Sequence, residues 1–351
     1  MRVLLPVLAV LCLATPATAQ IVTPSEILRS SVSNVIRPQV KAFADSGTDM
    51  AAGISGLCAE PGSDRLVEAR DAFTDVATAY GRMEFFRLGP LLEDNRADRI
   101  LFWPDRRSIG LKQVQESLAE QDADATDPAG LYAKSVAVQG LGALEFVLFG
   151  TGSETLSGAE GAFRCAYGRA IADNLALIGA DIVTAWDDPD GIAGHLMQPD
   201  ASYADYRTET ESLEALVGLV AHGVEAIRDS RVNPFIAGDD GRASPKLALF
   251  WRSNQTIPML RANLDGLRQL VTYSGVVADA ALAAQINAAF DRAEVALDTV
   301  TAPVEEAVTD PIQAAALADF VEATRQLQAL IGEDLSATLG LSVGFSSLDG
   351  D

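Results

Sequence analysis

One stretch of the sequence combines nearly continuous apolar character with a single carboxylate. From position 136 to 149 the only polar side chains are Gln139 and Glu145, and glycines follow at positions 150 and 152, as at a helix stop. The run is too short to span a bilayer as a helix, so it predicts a buried core helix. A buried carboxylate without a partner is costly or has a raised pKa. We therefore expect Glu145 to meet an arginine, a backbone amine, a metal ion or a proton.

Helical periodicity dominates the rest of the chain. In Leu66–Leu88, apolar residues recur close to every helical turn, and no segment alternates as a strand would. The other segments with a helical pattern are Pro24–Asp45, Ser108–Glu120, Pro128–Phe149, Ala159–Trp186, Tyr203–Asp229, Pro245–Tyr273, Ala278–Val300 and Pro311–Leu339. The sequence therefore predicts an all-α fold. A break near residues 187–200 predicts two packed helical bundles, which we place at 20–198 and 199–351.

The first 19 residues are typical of a secretory signal peptide. Arg2 supplies the positive charge, an apolar stretch follows, and Ala17-Thr18-Ala19 fits a cleavage site. We predict a periplasmic protein that begins at Gln20. No later apolar stretch is long enough to cross a membrane, so no transmembrane segment is expected.

The chain is strongly acidic. Its formal net charge is −23, and removal of the leader, whose only charged residue is Arg2, makes it −24. Such a charge argues against nucleic acid as a partner and is compatible with cations or basic partners. Solubility alone is a second explanation for it.

Two cysteines remain after cleavage, Cys58 and Cys165. Export favours a disulfide, which would close a loop of roughly 100 residues and stabilise the fold by about 4–5 kcal/mol in the chain-entropy model. Two buried free thiols are the alternative. A zinc site is not expected from these cysteines, because the only histidines, His195 and His222, lack the spacing of a zinc finger.

Several motifs, taken in order, resemble those of the imelysin-like family. The stretch Gly140–Gly150 is similar to the family's Gly-x-His-x-x-Glu signature with its apolar run and terminal glycine. Other similar elements are the early helix and Trp-Pro turn (82–90 and 103–105), a mid-chain helix and its exit (223–228 and 233–234), Trp251-Arg252-Ser253, and a Gly-Phe…Asp-Gly-Asp ending (339–351). The resemblance covers nearly the whole mature chain. It implies the imelysin-like fold and a role in the acquisition of iron or another divalent metal at the bacterial envelope.

The chain departs from this signature at one position. Where the family has histidine, this chain has Gly142, so only Gly140 and Glu145 of the motif remain. In the full motif, an imidazole and a carboxylate three residues apart share one helix face and can bind one metal ion. A lone carboxylate needs ligands from elsewhere. The family has also been classed with M75 metallopeptidases, and loss of the histidine argues against that activity here; we name no catalytic residue.

Two further groups of residues are candidates for the site. Arg252 or Arg87 is expected to reach Glu145 across the bundle interface, with Ser253 beside it, because arginine suits pairing with a buried carboxylate. A salt bridge that only fixes packing is the alternative to a ligand site. His222 and Glu225, the only His-x-x-Glu of the chain, form a second candidate metal pair. Here the alternative is an exposed histidine and a Glu225–Arg228 pair.

Three functions follow from these observations. The first is a periplasmic component of metal acquisition that binds a metal ion or a small ligand. The second is a peptidase of the M75 type. The third is a binding or adaptor protein without metal chemistry, which would serve an envelope protein partner.

Overall fold

The computed structural model describes residues 22–105, 107–238 and 241–342, which form helices and no strands. The all-α prediction is therefore confirmed. The predicted signal peptide, residues 1–19, and residues 343–351 of the Gly-Phe…Asp-Gly-Asp ending lie outside the described residues. The α-helices are α1 Pro24–Ser31, α2 Arg37–Ala59, α3 Ser63–Met83, α4 Arg96–Ile100, α5 Ile109–Glu120, α6 Pro128–Ala133, α7 Leu141–Phe149, α8 Ala162–Asp187, α9 Ile192–Met197, α10 Glu209–Ala226, α11 Thr256–Ser274, α12 Ala280–Thr299, α13 Val304–Ala307, α14 Pro311–Ala329 and α15 Ser336–Leu339.

Three π-helical turns continue the longer helices. Val32–Ile36 joins α1 to α2, Ile227–Val232 extends α10, and Leu330–Leu335 joins α14 to α15. The first helical segment consequently runs on to Ala59 rather than ending at Asp45 as predicted. Of the helices in the described part of the chain, none combines the length and apolar character needed to cross a bilayer.

The first half of the chain is built around α2, α3 and α8. Helix α2 lies between the other two, and its buried side chains pack against both. The Cys58–Cys165 disulfide joins α2 to α8, with 5.6 Å between the two Cα atoms. The two cysteines thus form a bridge and are not free thiols.

The second half consists mainly of α10, α11, α12 and α14, and α11 also packs against α3. The backbones of α3 and α11 are in close contact, since a Cβ at Gly266 would lie 1.9 Å from the carbonyl oxygen of Arg82. Helix α1 contacts α10 and α11, and the apolar core is continuous through both halves. A division into bundles at 198/199 stays a prediction.

The prediction of one helix over Pro128–Phe149 is wrong. Helix α6 ends at Ala133, a short 3-10 turn follows, and α7 begins only at Leu141. Gly140 has an extended backbone, with φ −114° and ψ −163°. A Cβ there would lie 2.3 Å from the carbonyl oxygen of Ile100. The chain leaves the helical conformation to pack against that backbone, which only glycine permits.

The segment Pro245–Tyr273 is also not one helix. Helix α11 begins at Thr256, because the preceding residues form a folded turn in which Phe250 and Asn254 have left-handed backbones, with φ of 58° and 57°. The Trp251-Arg252-Ser253 element therefore lies in a turn before a helix, not within the helix.

Candidate functional site

The carboxylate of Glu145 meets the turn before α11. Glu145 projects from α7 and is 4% exposed. Its Oε1 accepts hydrogen bonds from the backbone N–H of Ser253 at 3.1 Å and from Ser253 Oγ at 3.0 Å. Its Oε2 lies 3.9 Å from Arg252 Nη1. The buried acid is thus matched by one cation and by two donors from the neighbouring serine.

The turn that presents Ser253 is anchored in the core. Phe250 is buried and meets the ring of Phe73 edge-on, with 5.4 Å between centroids. Thr256 Oγ1 donates to the carbonyl oxygen of Leu249 at 2.7 Å, which closes the turn. These contacts fix the position of the Ser253 N–H relative to α7.

Two aromatic rings flank the guanidinium of Arg252. Its Cζ lies 4.5 Å from the ring centroid of Trp251 and 5.6 Å from that of Phe146. Such cation–π contacts stabilise a partly desolvated cation. Arg252 is therefore held beside Glu145 by its neighbours as well as by the ion pair.

Burial raises the pKa of Glu145 above its usual value, because the charged form loses its hydration. The charge of Arg252 and the hydrogen bonds from Ser253 and from the Arg252 backbone oppose this rise. The balance remains a raised pKa, so Glu145 takes up a proton more readily than an exposed glutamate.

A cavity of about 110 Å³ opens beside this acid, between α7 and the turn before α11. The residues of its wall include Glu145, Arg252, Trp251, Trp103 and Gly142. Gly142 is exposed, and a Cβ built on it would meet no atom within 4 Å. The space above Gly142 is therefore open and is not filled by another side chain of the described residues.

The donor set of this cavity does not fit a bare metal ion. Asp105 also lines it, but its two oxygens accept the N–H groups of Ile109 and Leu111 at 2.8 and 3.2 Å. Glu145 is already matched by Arg252. Within residues 22–105, 107–238 and 241–342, no three His, Cys, Asp or Glu side chains cluster closely enough to hold a metal. A metal here would need ligands of its own.

The sequence matches the model of one protein family over most of its length. The family model described as Imelysin (Peptidase_M75) matches residues 36–331. This chain belongs to the imelysin family. No curated protein matches the sequence.

Two solved structures share the imelysin fold with this chain. An imelysin-like protein from Psychrobacter arcticum 273-4 superposes with a TM-score of 0.76 at 20% identity, covering 92% of this chain and 97% of the other. A putative iron-regulated protein A precursor from Parabacteroides distasonis ATCC 8503 gives a TM-score of 0.69 at 15% identity, with coverages of 88% and 95%. At these identities the likeness establishes the fold.

In this imelysin, Arg252 and not Arg87 is the arginine within reach of Glu145. Arg87 follows the end of α3 and lines a different cavity, together with His222. Of the predicted partners, Arg252 and Ser253 therefore contact Glu145. Gly140 allows the extended backbone before α7, and Gly142 leaves the cavity open.

His222 and Glu225 lie on one face of α10, with 3.7 Å between His222 Nδ1 and Glu225 Oε2. Glu225 is buried and His222 is partly exposed. Arg228 does not pair with Glu225 but donates to Asp229 at 2.9 and 2.7 Å and to Gln328. His222 and Glu225 thus form a histidine–carboxylate pair, and among the described residues no third ligand joins them.

Sequence reasoning missed a buried ion pair between Glu84 and Arg231. Arg231 lies in the π-helical turn after α10 and donates to Glu84, which follows α3 and also accepts from Asn263 Nδ2 at 3.0 Å. The signal in the sequence is weak. Glu84 stands between the apolar residues Met83 and Phe85, much as Glu145 stands within the apolar stretch 136–149.

Proposed function

We propose that this chain is an exported, ligand-binding imelysin of the bacterial envelope that acts in the acquisition of iron or another metal. Its ligand enters the cavity beside Gly142 and Glu145. The observation that carries the proposal is the buried carboxylate of Glu145, which Ser253 and Arg252 hold at the wall of a cavity. The cavity is open above Gly142, because glycine has no side chain to fill it.

The ligand supplies a group that takes the place of the motif histidine, which this chain lacks at Gly142. Because the cavity wall offers one carboxylate already matched by Arg252, a bare cation gains little there. A small molecule, or a metal that carries its own ligands, is a better match. The cavity of about 110 Å³ is somewhat smaller than an engineered cavity of roughly 150 Å³ that admits benzene. A group the size of a five-membered ring therefore suits the space above Gly142.

The cellular location of the protein and the position of its site are part of the same proposal. The leader at residues 1–19 has the features of a signal peptide, and one structural neighbour bears the name putative iron-regulated protein A precursor. We extend export to the periplasm and a link to iron from these two observations. The cavity takes its walls from α7 and from the turn before α11, that is, from both predicted bundles, which supports a site at their interface.

Calorimetric titration of the mature protein tests this function. Ferrous, ferric, cupric and zinc ions are titrated alone, and imidazole and ferric citrate are titrated as ligands that bring their own donors. We expect saturable binding of a ligand from the second group and no binding of bare ions tighter than about 100 μM. Gly142→Trp, which fills the cavity, is expected to abolish binding, and Gly142→Ala is the matched control. Tight binding of bare ions, or binding that survives Gly142→Trp, would contradict the proposal.

Peptidase activity of the M75 type is the alternative, and the site gives it little support. The carboxylate beside Gly142 lacks the imidazole of the family signature and is matched by an arginine. Incubation with denatured protein, with and without chelator, decides this question. Chelator-sensitive cleavage that is lost in Glu145→Gln would replace the binding function by an enzymatic one.

A further inference from the structure

A second and larger cavity, of about 890 Å³, lies between the end of α3 and one face of α10. We propose that it binds a small organic carboxylate with an apolar body. This volume falls within the range of roughly 300–1,000 Å³ that is usual for small-molecule sites. Trp103 borders both this cavity and the one beside Gly142, but the charged residues of the two are different.

The carboxylates around this second cavity are all engaged. Glu84 accepts hydrogen bonds from Arg231 and from Asn263. Glu214 accepts the N–H of Ser342 at 3.0 Å. Glu225, just behind the wall, lies 3.7 Å from His222. Glu84 is therefore paired with a cation, and in the described part of the chain neither Glu214 nor Glu225 forms an ion pair with an arginine of this cavity.

Arg87 is the cation that remains. It is exposed, it lines the cavity, and within the described ranges no carboxylate lies in ion-pair distance of it. An anion that enters this cavity would therefore meet a guanidinium that no acid of the described residues already neutralises. Arginine presents a planar set of donors that suits a carboxylate.

Arg231 is a second donor at the same cavity. It is 7% exposed, and although it donates to Glu84, its Nε has no hydrogen-bond partner among the described residues. Burial lowers the pKa of Arg231 to about 10, so it remains a cation at neutral pH. This Nε is enclosed by protein, so Arg231 contributes to the cavity wall as a guanidinium that is already paired with Glu84.

The remaining wall is largely apolar. It is formed by Phe85, Leu88, Leu92, Trp103 and Leu219. An inorganic anion would leave this surface uncovered, whereas an aromatic or branched aliphatic group would bury it and gain hydrophobic free energy. Arg87 selects the carboxylate of the ligand, and the apolar wall selects its body.

Binding of indole-3-acetate and of its neutral amide, indole-3-acetamide, to the mature protein tests this proposal by calorimetry. We expect saturable binding of the acid tighter than about 1 mM. Arg87→Gln is expected to weaken it by roughly 10-fold or more and to leave the weaker binding of the amide unchanged. Arg29→Gln, which removes the same charge from an exposed position on α1 outside the cavity, is the matched control.

A second variant tests the location. Gly218 lies in α10 on the cavity wall, and a Cβ there meets only the ring of His222, at 3.7 Å or more. Gly218→Leu is therefore expected to fold and to block the probe. Absence of saturable binding, an equal loss in Arg29→Gln, or full binding in Gly218→Leu would overturn the proposal. These outcomes are separate from those of the first cavity, because neither Arg87 nor Gly218 lines it.

Discussion

Ser253 donates two hydrogen bonds, from its backbone N–H and its Oγ, to the same carboxylate oxygen of Glu145, 108 residues away in the chain. Oε2, the second oxygen, is left to face Arg252 at 3.9 Å. Because both donors belong to one residue of an anchored turn, the orientation of the carboxylate is fixed before any ligand arrives. Such preorganisation lowers the entropy that binding must overcome.

Replacement of this acid is predicted to change how stability depends on pH. The pKa of Glu145 is raised by burial above its usual value of 4.5. Below that value the carboxyl is protonated in both the folded and the unfolded state. As pH rises from there through the raised pKa, the unfolded state loses its proton first, so the native protein loses stability with a slope of at most about 1.4 kcal/mol per pH unit.

Glu145→Gln removes this titration. The free energy of unfolding of the variant minus that of the native protein, both measured in urea, is therefore expected to become more positive as pH increases from 4.5 towards neutrality. Glu322→Gln, an exposed acid paired with Arg325 on α14, serves as the control. A difference between Glu145→Gln and the native protein that stays constant over this pH range would contradict a raised pKa.

The two glycines that begin the motif are predicted to respond in opposite ways to alanine. A Cβ at Gly140 would lie 2.3 Å from the carbonyl oxygen of Ile100 and 2.4 Å from that of Arg99, so Gly140→Ala should lower the free energy of unfolding by about 2 kcal/mol or more. A Cβ at Gly142 meets nothing within 4 Å. Gly142→Ala should therefore leave stability unchanged or raise it by up to about 1 kcal/mol, as alanine favours the helix. Equal losses in the two variants, by urea unfolding, would show that the backbone at Gly140 can move away.

These glycines also show what sequence reasoning can and cannot supply. The apolar periodicity predicted the helices, and the isolated acid in an apolar run indicated that Glu145 would need a partner. The sequence also named Arg252 and Arg87 as candidate partners, but the choice between them depends on a contact between segments about 108 positions apart, which no local pattern encodes. The helix break at Gly140 was missed for a similar reason, because it results from the backbone of Ile100 rather than from its own neighbours in sequence. Likewise, the pairing of Glu84 with Arg231 joins residues 147 positions apart.

Removal of the disulfide is predicted to lower stability substantially. Cys58 and Cys165 close a loop with a sequence separation of 107, for which the chain-entropy model gives about 4–5 kcal/mol. The double variant Cys58→Ala/Cys165→Ala should therefore unfold at a markedly lower urea concentration. Reductant should bring the native protein to the midpoint of the double variant and should leave the variant itself unaffected. An unchanged midpoint of the native protein in reductant that fully reduces both thiols would contradict the prediction.

Removal of one partner of the Glu84–Arg231 pair is predicted to lower the free energy of unfolding strongly. Removal of both charges is predicted to lower it much less. Each side chain is buried, and Glu84 also accepts from Asn263. Arg231→Met should leave the carboxylate of Glu84 without its cation and destabilise the fold by about 3–5 kcal/mol, because an unpaired charge stays buried. The double variant Glu84→Gln/Arg231→Met removes both charges, while glutamine can still accept from Asn263. It should recover most of that loss in urea unfolding, whereas additive losses from the two single substitutions would show that the pair is not coupled in the folded protein.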